Sequence, residues 1–334
     1  MMTKKLEIIA TLGPSVSDKI SDLVDSGATA LRLNCSHLIL ETITHWLVKI
    51  EKTAKRNNQI IPLWLDLQGT KLRIGRLIRP MKLEKDKSLT FVHSWNQLVD
   101  EIPLPHKEIF NLIQIGDKIW LDDGRIILMV ESVEPDKFTA RLLNSGKLSS
   151  FKGFSKRAHN LQLQDVFSRD LSFIEYSRNY DYIGYAISYI QSTEEIQLVK
   201  KHIYDKPVIA KIERLKSFDN LKEIARCADG VWLCRGDLGV EANIYNLYHF
   251  EKVFIQQLAR IDKPFLIAGQ VLENMVKDQH PSRSEVSHLG YLIENGFSGV
   301  VLSDETAIGK YPIQAVKFCR EYFDFLSKAA SSNL

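Results

Sequence analysis

Two rhythms of apolar residues alternate along the chain. Short, mostly apolar runs rich in β-branched residues give way to stretches in which apolar positions recur every third or fourth residue, the pattern of strand–helix units in a parallel sheet. Eight such runs are legible: Glu7 to Thr11, Ala30 to Asn34, Pro62 to Leu67, Tyr182 to Ala186, Val208 to Lys211, Gly230 to Leu233, Phe265 to Ala268 and Gly299 to Leu302. Eight parallel strands, each followed by a helix, predict an α/β fold closed into a (β/α)8 TIM barrel, with its site at the C-terminal strand ends.

The third unit is interrupted. Between Gly75 and about Asp165 period-two runs replace the helical period, at Ser88 to Val92, Lys118 to Leu121, Ile126 to Val130 and Phe138 to Leu143. Turn signals at Asp123-Gly124 and Asn144-Ser145-Gly146 separate them. The expected division is a barrel from 1–75 and 166–334 and an inserted all-β domain at 76–165. An insertion after the third strand overhangs the mouth of a barrel and is expected to act as a lid. After the eighth strand one helix is predicted, roughly Ile313 to Ala330.

Composition narrows the class. With 334 residues, 45% hydrophobic and 25% charged, the chain is globular and can bury a core of ordinary size. A net charge of +3 carries no footprint for nucleic acid or a membrane surface, which leaves small anions as partners. No apolar stretch reaches the roughly 18 residues of a membrane span. Cys35, Cys227, Cys234 and Cys319 lack C-x-x-C spacing and read as reduced, buried thiols, so a cytoplasmic location is expected.

Chemistry-bearing residues gather at the predicted strand ends. Lys211 and Glu213 are two apart and share one side of the fifth strand, and Asp237 follows the sixth within Arg235-Gly236-Asp237. Two carboxylates suit Mg²⁺ or Mn²⁺, with substrate oxygens completing the shell, and an ammonium beside them would steady charge on a phosphoryl group or an enolate. A lone K-x-E reads more readily as a structural salt bridge inside the barrel, and Arg-Gly-Asp at the next strand end turns the balance toward a site. Arg32, after the second strand begins, and Arg73, after the third, are forked donors for phosphate oxygens or, singly, ordinary ion pairs. His37 alone reads as a cap or a ligand. Ser303 and Thr306 open a short segment whose amides favour an anion or simply cap a helix.

Taken in order, these segments resemble the pyruvate kinase family. The motifs are Ala10-Thr11-Leu12-Gly13-Pro14-Ser15, R-L-N-x-S-H at Arg32 to His37, D-L-Q-G-x-K-x-R at Asp66 to Arg73, and G-D-x-I-x-L-D-D-G at Gly116 to Gly124. They continue with Lys152-Gly153, A-K-I-E ending at Glu213, R-G-D-L-G from Arg235, Q-x-L-E-x-M from Gln270, P-x-R-x-E from Pro281 and S-x-E-T-A from Ser303. The resemblance implies a metal held by Glu213 and Asp237, and Lys211 and Arg73 on the transferring phosphoryl group. It further implies Gly236, Asp237, Gly269 and Ser303 around phosphoenolpyruvate or pyruvate, and Arg32, His37 and Lys152 on the ADP/ATP side. Asn34, Ser36 and Asp66 match the family's potassium ligands, while Lys71 stands where potassium-independent members carry lysine. K⁺ is therefore expected not to be required. The family's C-terminal α/β domain is not matched, so effector control through it is not expected, and a homodimer through barrel helices is.

The match has gaps. The family's A-T-Q reads Ala268-Gly269-Gln270, which removes a threonine hydroxyl linked to enolate protonation. Setting A-S-F-x-R against Tyr185 to Tyr189 loses a serine and an arginine, and Asp304 replaces a glycine. After Lys152-Gly153 the chain reads Phe154-Ser155-Lys156-Arg157 in place of V-N-x-P-G. Three readings follow: ADP-dependent phosphoryl transfer, nucleotide-free lyase or aldol chemistry on a 2-oxo acid through a longer-lived enolate, and a non-catalytic metabolite-binding descendant.

Overall fold

The computed structural model describes residues 6–98, 100–122, 124–156 and 168–331. Numbered along the chain, the strands begin with β1 (Glu7–Thr11), β2 (Ala30–Asn34) and β3 (Leu63–Leu67). Next come β4 (Leu72–Arg73), β5 (Met81–Leu83), β6 (Ser88–Val92), β7 (Ile102–Pro103), β8 (Lys118–Leu121), β9 (Ile126–Glu134), β10 (Lys137–Leu142), β11 (Gly146–Leu148) and β12 (Gly153–Lys156). The last are β13 (Ile183–Ile187), β14 (Val208–Ile212), β15 (Gly230–Cys234), β16 (Phe265–Ala268) and β17 (Gly299–Leu302).

Eight of these close a parallel barrel in the order β1-β17-β16-β15-β14-β13-β3-β2, as the strand count implied. Its interior follows from the two-residue period of a strand. Ile9, Ala30, Trp64, Ala186, Ile209, Trp232, Leu266 and Val301 form one packed cluster, with Trp64 and Trp232 edge to face at 6.1 Å. Two residues further along, the same face carries Thr11, Arg32, Asp66, Ser188, Lys211, Cys234, Ala268 and Ser303. The inward side of the barrel thus changes from apolar to largely polar toward its C-terminal end.

The chain divides into two compact units. The first comprises Met1–Gln68, Asp170–Leu238 and Tyr245–Leu334, and the second Gly69–Arg169 with Gly239–Ile244. In the second, a seven-stranded sheet runs β4-β12-β8-β9-β10-β6-β7, beside a β11-β5 pair. Period-two strands bury one face here: Phe91 stacks on its cross-strand partner Phe138 at 4.7 Å, and Phe154 packs edge-on against Phe91 at 5.9 Å. The segment expected to be all strand also contains a helical turn, Lys107–Phe110, which buries Ile109 and Phe110 against the same core. Asp123, the expected boundary at 165/166 and Arg157 lie outside the described residues. No described helix is long and apolar enough to cross a membrane.

Candidate active site

At the C-terminal end of the first unit's barrel, four charged side chains from β2, β3, β14 and the residue just past β14 are buried together. Arg32 is 8% exposed, Asp66 1%, Lys211 7% and Glu213 2%. Asp66 is the hub. Its Oδ2 accepts Arg32 Nε at 2.7 Å and also Nη2, while Lys211 Nζ lies 2.9 Å from Oδ1 and 3.1 Å from Oδ2. Lys211 also reaches Glu213 Oε1 at 3.2 Å, which bears out the shared side expected of residues two apart.

Two formal positive and two negative charges therefore face one another away from water. Burial alone pushes the Asp66 carboxyl upward, but Lys211 and Arg32 more than offset this and hold it below the usual range. Burial likewise disfavours the Lys211 ammonium, and the carboxylates of Asp66 and Glu213 outweigh it, so its pKa is raised and the lysine stays charged. Arg32 Nη1 donates to Thr11 Oγ1 at 2.8 Å, so all three of its nitrogens are engaged within the barrel.

Ser188, just past β13, joins this cluster without a motif to mark it in the sequence. Its hydroxyl donates to the Leu67 carbonyl at 2.8 Å and receives Lys211 Nζ at 2.7 Å, with Asp66 Oδ1 at 3.2 Å. The serine counted as lost at strand four is thus a matter of register. Placed two residues later, A-S-F-x-R falls on Ile187-Ser188-Tyr189-Ile190-Gln191, which keeps the hydroxyl, exchanges phenylalanine for tyrosine and puts Gln191 at the arginine. The clue available in advance was Ser-Tyr at the strand's C-terminal edge.

Asp237 lies in the first turn of the helix Arg235–Ala242, directly after β15. The link to Glu213 is Tyr189, whose backbone N–H donates to Glu213 Oε2 at 2.8 Å and whose phenol donates to Asp237 Oδ1 at 2.9 Å. Among the described residues no group of three or more His, Cys, Asp or Glu is gathered as a cage. Mg²⁺ typically takes one or two carboxylates and completes its octahedron from water or substrate, so the oxygen donors of Glu213 and Asp237 suit such an ion.

Gly269, after β16, has φ +86, and an added Cβ would lie 3.3 Å from Gly236 N, whereas a Cβ on Gly236 would meet open space. Arg235 supports this turn by donating from Nε to the Gly269 carbonyl (3.0 Å) and from Nη2 to that of Gln270 (2.7 Å). Arg235 Nη1 also lies 3.1 Å from His288 Nδ1, and His288 Nε2 lies 3.1 Å from Glu251 Oε2. These two partners come from distant helices and have no sequence signal. Ser303 donates its amide to Glu305 Oε2 at 2.7 Å, and Glu305 Oε1 accepts the amides of Val271 and Leu272. The helix there has only four residues, Asp304–Ala307, and the Ser303 amide is engaged by a carboxylate from within it. The Thr306 hydroxyl donates to the Thr11 carbonyl at 2.9 Å.

Asn34 Oδ1 caps its own turn by accepting the Ser36 amide at 3.2 Å. His37 belongs to the 3₁₀ turn Cys35–His37, and its side chain lies outside what the structure describes. The remaining candidates belong to the second unit. Arg73 donates its backbone N–H to His106 Nε2 at 3.2 Å and Nη1 to the Phe151 carbonyl at 2.8 Å, while Lys152 pairs with Asp122 at 2.7 Å. Lys71 is half-buried.

The profile of the pyruvate kinase barrel domain matches residues 3–316. This chain belongs to the pyruvate kinase barrel family. Curated relatives include pyruvate kinase of Thermococcus litoralis, 33% identical over 94% of this chain and 68% of the relative. That of Thermoplasma acidophilum is 30% identical over 98% of this chain and 59% of its own length. Among solved structures, a pyruvate kinase from Cryptosporidium parvum superposes with a TM-score of 0.82 at 26% identity, covering 97% of this chain and 70% of that one. In this pyruvate kinase barrel the Asp66–Lys211–Glu213 cluster occupies the strand ends where the fold carries its chemistry.

Proposed function

We propose that the protein transfers a phosphoryl group between phosphoenolpyruvate and ADP, giving pyruvate and ATP, with Mg²⁺ or Mn²⁺ held by Glu213 and Asp237. The observation that carries the reading is a buried lysine kept charged by Asp66 and Glu213, with Asp237 joined to Glu213 through one residue. When bound, the metal would offset negative charge on substrate oxygens.

Lys211 presents fixed positive charge in a low-dielectric setting, where it stabilises charge developing on a phosphoryl or enolate oxygen. Arg32 and Ser188 hold Asp66, and Asp66 orients the lysine. Arg73 is assigned to the phosphoryl group, Gly236, Gly269 and Ser303 to the acid, and His37 and Lys152 to the nucleotide, by the family resemblance. Arg32, assigned there too, acts here chiefly through Asp66, to which both its Nε and Nη2 donate. Turnover without potassium is supported by Asp66, whose oxygens already take two protein cations, and by lysine at position 71.

The test is pyruvate release from phosphoenolpyruvate and ADP, with Mg²⁺ or Mn²⁺, in sodium and in potassium buffers. Metal- and ADP-dependent release, equal in both buffers and lost in Lys211→Met, is expected. No release under any of these conditions refutes the assignment. Gly269 favours a second reading: with no hydroxyl to relay a proton there, an enolate would persist and meet another electrophile. Metal-dependent turnover of a 2-oxo acid without ADP would select it.

A further inference from the structure

Tyr189 sits just after β13 and is 5% exposed, yet its φ is +64, in the left-handed region that non-glycine residues enter at a cost. Backbone strain of this kind persists where the surroundings hold it in place. Here the peptide N–H donates to Glu213 Oε2 at 2.8 Å and the phenol to Asp237 Oδ1 at 2.9 Å. The Arg214 guanidinium lies over the ring, 5.9 Å from its centroid. The left-handed turn thus aims one residue at two carboxylates that come from different strand ends.

We infer that Tyr189 is a positioning residue for the divalent-cation site: it orients Glu213 through its backbone and Asp237 through its phenol, so both present oxygens toward one ion. This rests on Glu213 and Asp237 being the metal ligands. A carboxylate that accepts a hydrogen bond on one oxygen has fewer orientations to lose on binding a cation, and removing such outer partners typically weakens metal binding by about 10- to 100-fold.

The experiment compares Mn²⁺ binding, by calorimetry and by the electron-paramagnetic signal of free Mn²⁺ without substrate, among the unaltered protein, Tyr189→Phe and Tyr185→Phe. Phenylalanine at 189 keeps the ring and deletes only the bond to Asp237. Tyr185, on β13, is the control: its buried phenol lies 2.8 Å from the Ser177 hydroxyl. The expected result for Tyr189→Phe is an Mn²⁺ dissociation constant raised about tenfold, with the kinetic loss falling on the KM for metal more than on kcat. Tyr185→Phe is expected to bind Mn²⁺ as the unaltered protein does. Equal affinity in Tyr189→Phe, an equal loss in Tyr185→Phe, or a loss confined to kcat overturns the inference while leaving the ligand assignment standing. No Mn²⁺ uptake by the unaltered protein overturns both.

Discussion

Replacing Asp66 by Asn keeps the shape of the hub and deletes its charge. Lys211 and Arg32 then face each other across an amide, and the amide NH₂ turns a donor toward donors that held the carboxylate at 2.7 Å (Arg32 Nε) and 2.9 Å (Lys211 Nζ). Among Arg32, Lys211, Asp66 and Glu213 the net charge goes from zero to +1 in a region no more than 8% exposed. Breaking one partner out of a buried ion pair costs about 3–5 kcal/mol, which for a domain of this size lowers the unfolding temperature by roughly 10 °C. Lys211→Met alone leaves the group at −1 and should destabilise similarly. The double variant restores neutrality and should be more stable than the sum of the singles predicts, by about 2 kcal/mol or more. Urea unfolding followed by tryptophan fluorescence reads this directly, since Trp64 and Trp232 lie in the barrel cluster. A cost below about 1 kcal/mol for Asp66→Asn, or simple additivity in the double variant, would refute the reading of Asp66 as a buried hub.

Acid should act on the second unit through His106. Burial lowers its pKa from 6.5 to about 4, and its Nε2 accepts the Arg73 amide. Because the unfolded chain takes up the proton first, this histidine contributes stability that is full above pH 6.5 and lost as pH falls toward 4, up to roughly 3 kcal/mol. His106→Asn should flatten the stability–pH curve across that window, and an unchanged slope would count against it. At the strand-seven turn, Gly269→Ala should cost about 1 kcal/mol because of its positive φ, measured as a fall in unfolding temperature. Gly269→Thr should cost more, since its branched Cβ meets the Gly236 amide, and a gain in pyruvate release despite that cost would support the proton-relay account of the missing hydroxyl.

Much of this architecture could be read before any coordinates. Short, near-continuous apolar runs separated by helical stretches located the eight barrel strands to within a residue or so, because a barrel strand buries both faces, whereas the period-two runs of the inserted segment mark strands that bury only one. The two-residue spacing of Lys211 and Glu213 placed them on one side for the same local reason, and the ordered motifs identified the family.

What the chain could not announce were contacts between residues far apart in it. Asp66 and Lys211 are 145 positions apart, and Tyr189 and Asp237 are 48 apart. Which acid pairs with which base, whether Arg32 is spent on Asp66, and whether Ser303 offers its amide or surrenders it to Glu305 depend on barrel closure, which sets strand neighbours and the depth of each side chain. The register at strand four misled for a related reason: a local pattern read two residues early hid a serine that only its neighbours across the barrel reveal. The left-handed Tyr189 is a further case, since no local preference selects that conformation in a tyrosine, and it exists because partners on two other strand ends hold it there.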